Sequence, residues 1–382
     1  MAEKKSKFRI KHYVNYIVVA LFLAVTVLMQ YSGMLNRSTA NLLTQIGYSI
    51  ILAVSLNLVV GFLGELSLGH AGFMCVGAYL GCFFAKYMSE FIDSKLLVLI
   101  VSMVVGGLIA AVFGLIIGLP ALRLKGDYLA IVTLAFGEIV RTIFKNLDTF
   151  GGALGLSTKK YGPNLFIVSF VVVLIMLFII QNLIRSKHGR AITAIRDNEI
   201  AAKAMGINVT FYKLLVFVVS AFFAGIAGVI YGHFTTPVLY SFFSYNYSIE
   251  ILVMVVLGGM GSITGSIIAA TLITYINFVL TTNLSGDLAA LKYLIYAIIL
   301  ILMIIFNNAP MFKPFKDNLG KIRKNIFDKI TGIFIKNKNV DPSKIKDDAA
   351  AWDRVPTKIE MDALLSVDIN NDSIEKKEKG DK

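Results

Sequence analysis

The chain has 382 residues, of which 57% are hydrophobic and only 16% charged, and several apolar runs reach the roughly 18 to 20 residues that span a bilayer. This excludes an ordinary soluble domain, and continuous runs such as 167–180 exclude an outer-membrane barrel, whose strands alternate in segments of about ten residues. A formal net charge of +13 would suggest nucleic acid in a soluble protein; here the positive charges fall between and beyond the apolar runs, where they orient the chain in the bilayer, and no nucleic-acid partner is expected.

The chain opens with MAEKKSKFRIKH, a basic stretch ahead of an apolar run at 13–29. No A-x-A-like site follows, so a retained first helix entering from the cytoplasm is predicted, not a cleaved signal. Further spans are predicted at about 42–62, 66–87, 96–119, 128–144, 165–183, 212–233, 248–260, 262–280 and 291–306. The fold class is therefore all-α: a polytopic membrane protein of about ten passes, with broken or short helices among them. The stretch 248–280 is too long for one span at ~1.5 Å rise per residue and short for two. Reading it as two short or tilted helices meeting at 258–265 keeps the Lys-rich segment 313–338 on the same side as the N-terminus, as the positive-inside bias requires. The charged segments 123–127 and 185–213 then fall on that cytoplasmic side too. The transmembrane domain is placed at 1–310, a basic amphipathic juxtamembrane segment at 311–336, and a polar cytoplasmic tail at 337–382.

Phosphate-loop, H-E-x-x-H, G-x-S-x-G and dinucleotide patterns are missing, and Cys75 and Cys82 are read as small packing residues with no metal spacing around them. No catalytic residue, metal or cofactor is expected. The stretch GELSLGHAGFMCVGAY, 64–79, places Glu65, Ser67 and His70 among Gly64, Gly69, Gly72 and Gly77. Glycines in a membrane helix permit either close packing or a break that lines a cavity, and an ionisable residue at this depth is a functional candidate. Ser67, Gly69, His70 and Gly72 are thus assigned to a translocation pathway or helix break, and Gly258, Gly259 and Gly261 of GGMGSITGS to a second break or hinge. Glu65 is placed near the cytoplasmic edge, in a structural or gating role. Glu138 and Arg141 stand three apart on one helix face and are read as an intramembrane ion pair. In the loop 185–213, Ile192, Ile195, Ile200 and Met205 are spaced for an amphipathic surface, and Gly206 stands where a helix stops. Its alanine content and basic borders suit a short docking helix on the cytoplasmic face.

Four long blocks carry a resemblance: GELSLGHAGFMCVGAY, LRLKGDYLAIVTLAFGEIVR, GRAITAIRDNEIAAKAMGINVTFYKLLVFVVSAFFAGIAGVIYGH and SIEILVMVVLGGMGSITG, in that order. From about residue 42 to 310 the chain resembles permease subunits of branched-chain amino acid ABC transporters, and the second and third blocks look like the M-type subunit. The resemblance implies the ABC importer permease fold in a bacterial inner membrane. It implies a non-catalytic half of an importer, partnered by a second related permease, two cytoplasmic ATPase subunits and an external binding protein. It further implies that an EAA-x-x-x-G loop docks on the ATPase, which assigns Gly189, Arg190, Arg196, Glu199, Ile200, Ala201, Ala202 and Gly206 to coupling, with isoleucine at 200 in place of the usual glutamate. Alternatives are an ABC permease for urea, an amide or a sugar, and a stand-alone carrier or channel, which would have no use for the docking loop.

Overall fold

The computed structural model describes residues 14–32, 36–124, 126–162 and 164–283, and the isolated positions 297, 298 and 301. The span expected at 291–306, the amphipathic segment and the tail lie outside the described residues, those three positions apart. Apolar runs of this length bury no unpaired backbone only as helices, and the described residues contain no strand, only one antiparallel bridge between Leu156 and Val238.

Helix α1 is Val14–Tyr31 and α2 is Arg37–Asn57, which continues into a π-helical stretch, Leu58–Leu63. After an irregular segment, α3 (His70–Val76), a second π-helical stretch (Gly77–Gly81) and α4 (Cys82–Phe91) form one continuous rod. Helices α5 (Lys95–Ala121), α6 (Asp127–Asn146) and α7 (Leu165–Arg185) follow, then two short ones, α8 (Lys187–Asp197) and α9 (Glu199–Ala204). Helices α10 (Val209–Phe234), α11 (Tyr245–Gly258) and α12 (Ile263–Asn283) complete the described fold. Among the described residues, six helical stretches are long and apolar enough to cross a membrane: Arg37–Leu63, His70–Phe91, Lys95–Ala121, Leu165–Arg185, Val209–Phe234 and Ile263–Thr282.

Three expected spans depart from that pattern: α1 is counted only among the shorter apolar helices, as Val18–Tyr31, and α6 and α11 depart for reasons of their own. Helix α6 has the length, 20 residues, but carries Asp127, Glu138, Arg141 and Lys145. Helix α11 is apolar but has 14 residues, about 21 Å against a hydrocarbon core of about 30 Å. The stretch 248–280 is therefore an unequal pair, one short helix and one full-length helix, that turns back at residues 259–262.

Helix α10 runs through the centre, between α5 and the α3–α4 rod. Small residues let the backbones approach: a Cβ on Gly77 would lie 2.2 Å from the Gly225 carbonyl oxygen, and one on Gly228 would lie 2.0 Å from that of Met74. Helix α5 turns Ile100, Val104, Leu108, Val112 and Ile116 outward, the pattern of a lipid-facing side. Cys75 and Cys82 are buried free thiols, as the packing reading expects. At one end of the bundle lie α8, α9 and the start of α10. At the other, Tyr79 donates from its hydroxyl to Val238 O at 3.0 Å and stacks on Phe144, and a cleft of about 690 Å³ is lined by Lys86, Asp93, Lys95, Lys159, Lys160 and His233, among others.

Candidate functional site

The span expected at 66–87 begins only at His70; residues 64–69 are not helical. Gly64, in the left-handed region at φ 82°, ends the π-helical stretch, and the chain turns back into the bundle. His70 reaches the level of Ser55, whose Oγ is 2.9 Å from His70 Nε2, roughly 10 Å inward from Leu63 along the helix. Irregular backbone at such depth needs partners from neighbouring helices, and it has them. Leu68 N–H donates to Thr133 Oγ1 of α6 at 3.0 Å, and Ala71 N–H donates to Ser248 Oγ of α11 at 3.1 Å. Gly69 and Gly72 fit because α6 is in contact: a Cβ would lie 2.4 Å from Thr133 O and 2.6 Å from Gly137 Cα respectively. The break and the tight packing are thus one feature. Ser67 and His70 are both buried, and His70 bonds to Ser55, not to Ser67.

The turn between α11 and α12 sits against this break. Gly258 and Gly265 oppose each other, with Gly259 and Gly261 at positive φ. Gly261 N–H donates to Asn57 Oδ1 at 2.9 Å, and Asn57 Nδ2 donates to Ser266 Oγ at 2.9 Å. A side chain on Gly61 would collide with Gly261 N at 2.2 Å, so only glycine admits the turn.

The loop 185–213 is built from short helices with capped starts. Ser186 Oγ accepts from His188 and Gly189 N–H, and Asn198 Oδ1 accepts from Ile200 and Ala201 N–H, which is how small polar residues begin helices. The single short helix expected here is two, because Asn198 interrupts it with an extended backbone. The four apolar residues divide accordingly. Ile192 and Ile195 are buried within the chain, whereas Ile200 and Met205 are 78% and 82% exposed. Ala201 is exposed and Ala202 buried; Arg190 is exposed; Gly189 is pressed on Ile184. Gly206 takes φ 82° with open space around it, so it serves as the stop expected of it.

Two charged contacts join this loop to the interior break. Arg196 Nη1 donates to Gly61 O at 3.2 Å, and its guanidinium also pairs with Asp197. Lys213, the fifth residue of α10, is buried and pairs with Glu65 of the break and with Glu199 of α9, the latter at 3.3 Å. Glu65 therefore lies beside this loop, and Glu199 faces inward. Elsewhere, Glu138 and Arg141 form the expected ion pair, Oε2 to Nη2 at 2.9 Å, with side chains 28% and 29% exposed. Glu138 Oε1 also accepts from Tyr245 N–H, at the start of α11, at 3.0 Å.

Asn57, Gly61 and Lys213 are site residues that the sequence reading missed. Asn57 and Lys213 had a signal, being polar or charged inside apolar runs. Gly61 had none that sets it apart from the other glycines.

A family profile described as "Branched-chain amino acid transport system / permease component" matches residues 38–304. The chain is 34% identical over 336 residues, 78% of its length, to the high-affinity branched-chain amino acid transport system permease protein LivM of Escherichia coli, 75% of which is covered. It is 28% identical over 257 residues, 57% of its length, to the probable LivM of Methanocaldococcus jannaschii, covering 74% of that protein. A D-allose transport system permease protein, AlsC of Escherichia coli, is 30% identical over 205 residues, 50% of this chain and 59% of that one. No solved structure matches.

Proposed function

The chain belongs to the family of branched-chain amino acid transport permease components, and on that premise we propose that it forms half of the membrane pathway of an ATP-driven importer of branched-chain amino acids. A second related permease supplies the other half, two ATPase subunits bind on the cytoplasmic side, and an external binding protein delivers the solute. The α8–α9 end is the cytoplasmic one, and both termini lie on that side of a bacterial inner membrane.

The observation that carries this reading is the loop 185–213. It offers Ile200, Met205 and Ala201 to the outside while Glu199 and Arg196 hold it from within to the break between α2 and α3. An exposed apolar pair on a short, capped, basic-bordered loop suits a groove on a partner. The inward charges suit transmission. When the ATPase pair closes on ATP, α8–α9 moves with it, and the contacts to Gly61, Glu65 and Lys213 carry that movement to the break, shifting the population between outward-open and inward-open states. Ser67, Gly69, His70 and Gly72, with Gly258, Gly259 and Gly261, act as the two packed breaks about which the helices move.

Replacement of Ile200 and Met205 by aspartate tests the docking role. The expected result is an unchanged level of this subunit in the membrane, with co-purification of the ATPase lost and ATP-driven leucine uptake in proteoliposomes lowered by about tenfold or more. Normal co-purification would refute docking at this pair. Uptake of a sugar but not leucine by the unmodified complex would favour the sugar reading, which the shorter match to a D-allose permease supports.

A further inference from the structure

The Glu138–Arg141 pair is a charged feature that the coupling scheme leaves unused. Helix α6 begins at the α8–α9 end, since the close of α5 at Gly118 packs on Leu214 and Phe217 of α10. Glu138 is eleven residues past Asp127, about 17 Å along the axis, near the middle of a bilayer core about 30 Å thick. At that depth ionisable side chains are costly against lipid and face a bundle interior or a water-filled cavity. Yet both are more than a quarter exposed on this chain, so the edge of α6 that carries them is not a lipid face.

The arrangement is also incomplete. Arg141 uses Nη2 on Glu138, and its other N–H groups meet no acceptor among the described residues. Glu138 is fixed from the other side by Tyr245 N–H. Apolar side chains lie beside the pair on one side: Leu134 lies one turn before Glu138 on the same edge of α6, and Tyr245 and Ile249 are exposed on the adjoining face of α11, while Thr142 and Lys145 are exposed on the other.

We propose that Glu138 and Arg141 form a waystation for the zwitterionic backbone of the transported amino acid, with Arg141 donating to its carboxylate, Glu138 accepting from its ammonium, and Leu134, Tyr245 and Ile249 receiving its branched side chain. A fixed acid beside a fixed base matches an amino acid's two charges at the spacing of one Cα, and a guanidinium with free donors suits a carboxylate. The edge of α6 next to α11 is then the wall of the pathway that faces the second permease. This assignment rests on the importer reading given above.

The test uses the whole complex, with its second permease and ATPases, in proteoliposomes. The double variant Glu138→Gln/Arg141→Gln keeps an acceptor for Tyr245 N–H and a hydrogen bond between the two side chains. If the pair is only structural, this neutral replacement restores what it held and uptake stays at the unmodified rate. As a waystation its loss lowers leucine uptake by about tenfold or more at an unchanged yield of assembled complex. Unmodified uptake, or loss of assembly, overturns the assignment. A second measurement leaves the pair intact: Thr142→Cys, an exposed neighbour in a chain whose native thiols at 75 and 82 are buried. It is expected to react with a charged, water-borne thiol reagent in the assembled complex, more slowly with saturating leucine, and no reaction would place this edge against lipid or protein. Absence of leucine uptake by the unmodified complex would instead overturn the importer reading, and this assignment with it.

Discussion

Two sets of opposite charges lie within the same bundle, and they are built differently. Lys213 is buried between Glu65 and Glu199, with its side chain 4% exposed; Glu138 and Arg141 are paired once and stand 28% and 29% exposed. The first set joins three elements, the helix break, α9 and α10, near one end of the bundle. The second decorates one helix near mid-depth and leaves donors unused. A closed cluster of charges holds structure together, because opening it strands a charge in low dielectric; an open pair has capacity left for something that comes and goes.

The largest effect should come from breaking the closed cluster. Lys213→Met leaves Glu65, 12% exposed, beside Glu199 with its cation gone, and a loss of about 3 kcal/mol is expected, read as a much lower thermal midpoint and a poor yield of folded subunit in detergent. A midpoint close to the unmodified one would mean that water reaches this cluster and that the contrast is one of position only. A smaller effect is expected at the neighbouring junction. Gly61→Ala puts a Cβ 1.9 Å from Asn57 Oδ1 and 2.2 Å from Gly261 N, which overpacks the site by about 1–3 kcal/mol and should expose the turn between α11 and α12 to proteolysis. The smallest belongs to the open pair. Glu138→Gln/Arg141→Gln should shift stability by under about 1 kcal/mol while changing uptake by the factor given above. A large loss of stability there would erase the distinction between the two clusters.

Much of this was legible in the sequence because it depended on local pattern. Apolar runs gave the helices, and the ion pair followed from i, i+3 spacing on α6. Gly206 and the division of 248–280 into two helices were marked by glycine and by the charge bias, but both helices were expected to be short or tilted, and α12 is full-length. What was not legible depends on which segments meet. No periodicity says that residues 64–69 turn inward and end at the level of Ser55, or that Glu199 pairs with Lys213 of α10. Ile192, Ile195, Ile200 and Met205 share one helical pattern in the sequence, and only the interruption at Asn198 separates two that pack inside from two that stand outside. Lys213 was visible as a charge in the first turn of a span, but its two partners come from positions 65 and 199.

Gly61 touches the turn of the hairpin at Gly261 and lends its carbonyl to Arg196 of the loop 185–213, while belonging to the helix that ends at the break. Three elements that are far apart in the chain thus share a single fulcrum with no side chain to cushion it. Distance labels placed across any two of them are therefore expected to change together whenever the third is displaced, and independent changes would show that the contact at Gly61 does not link them.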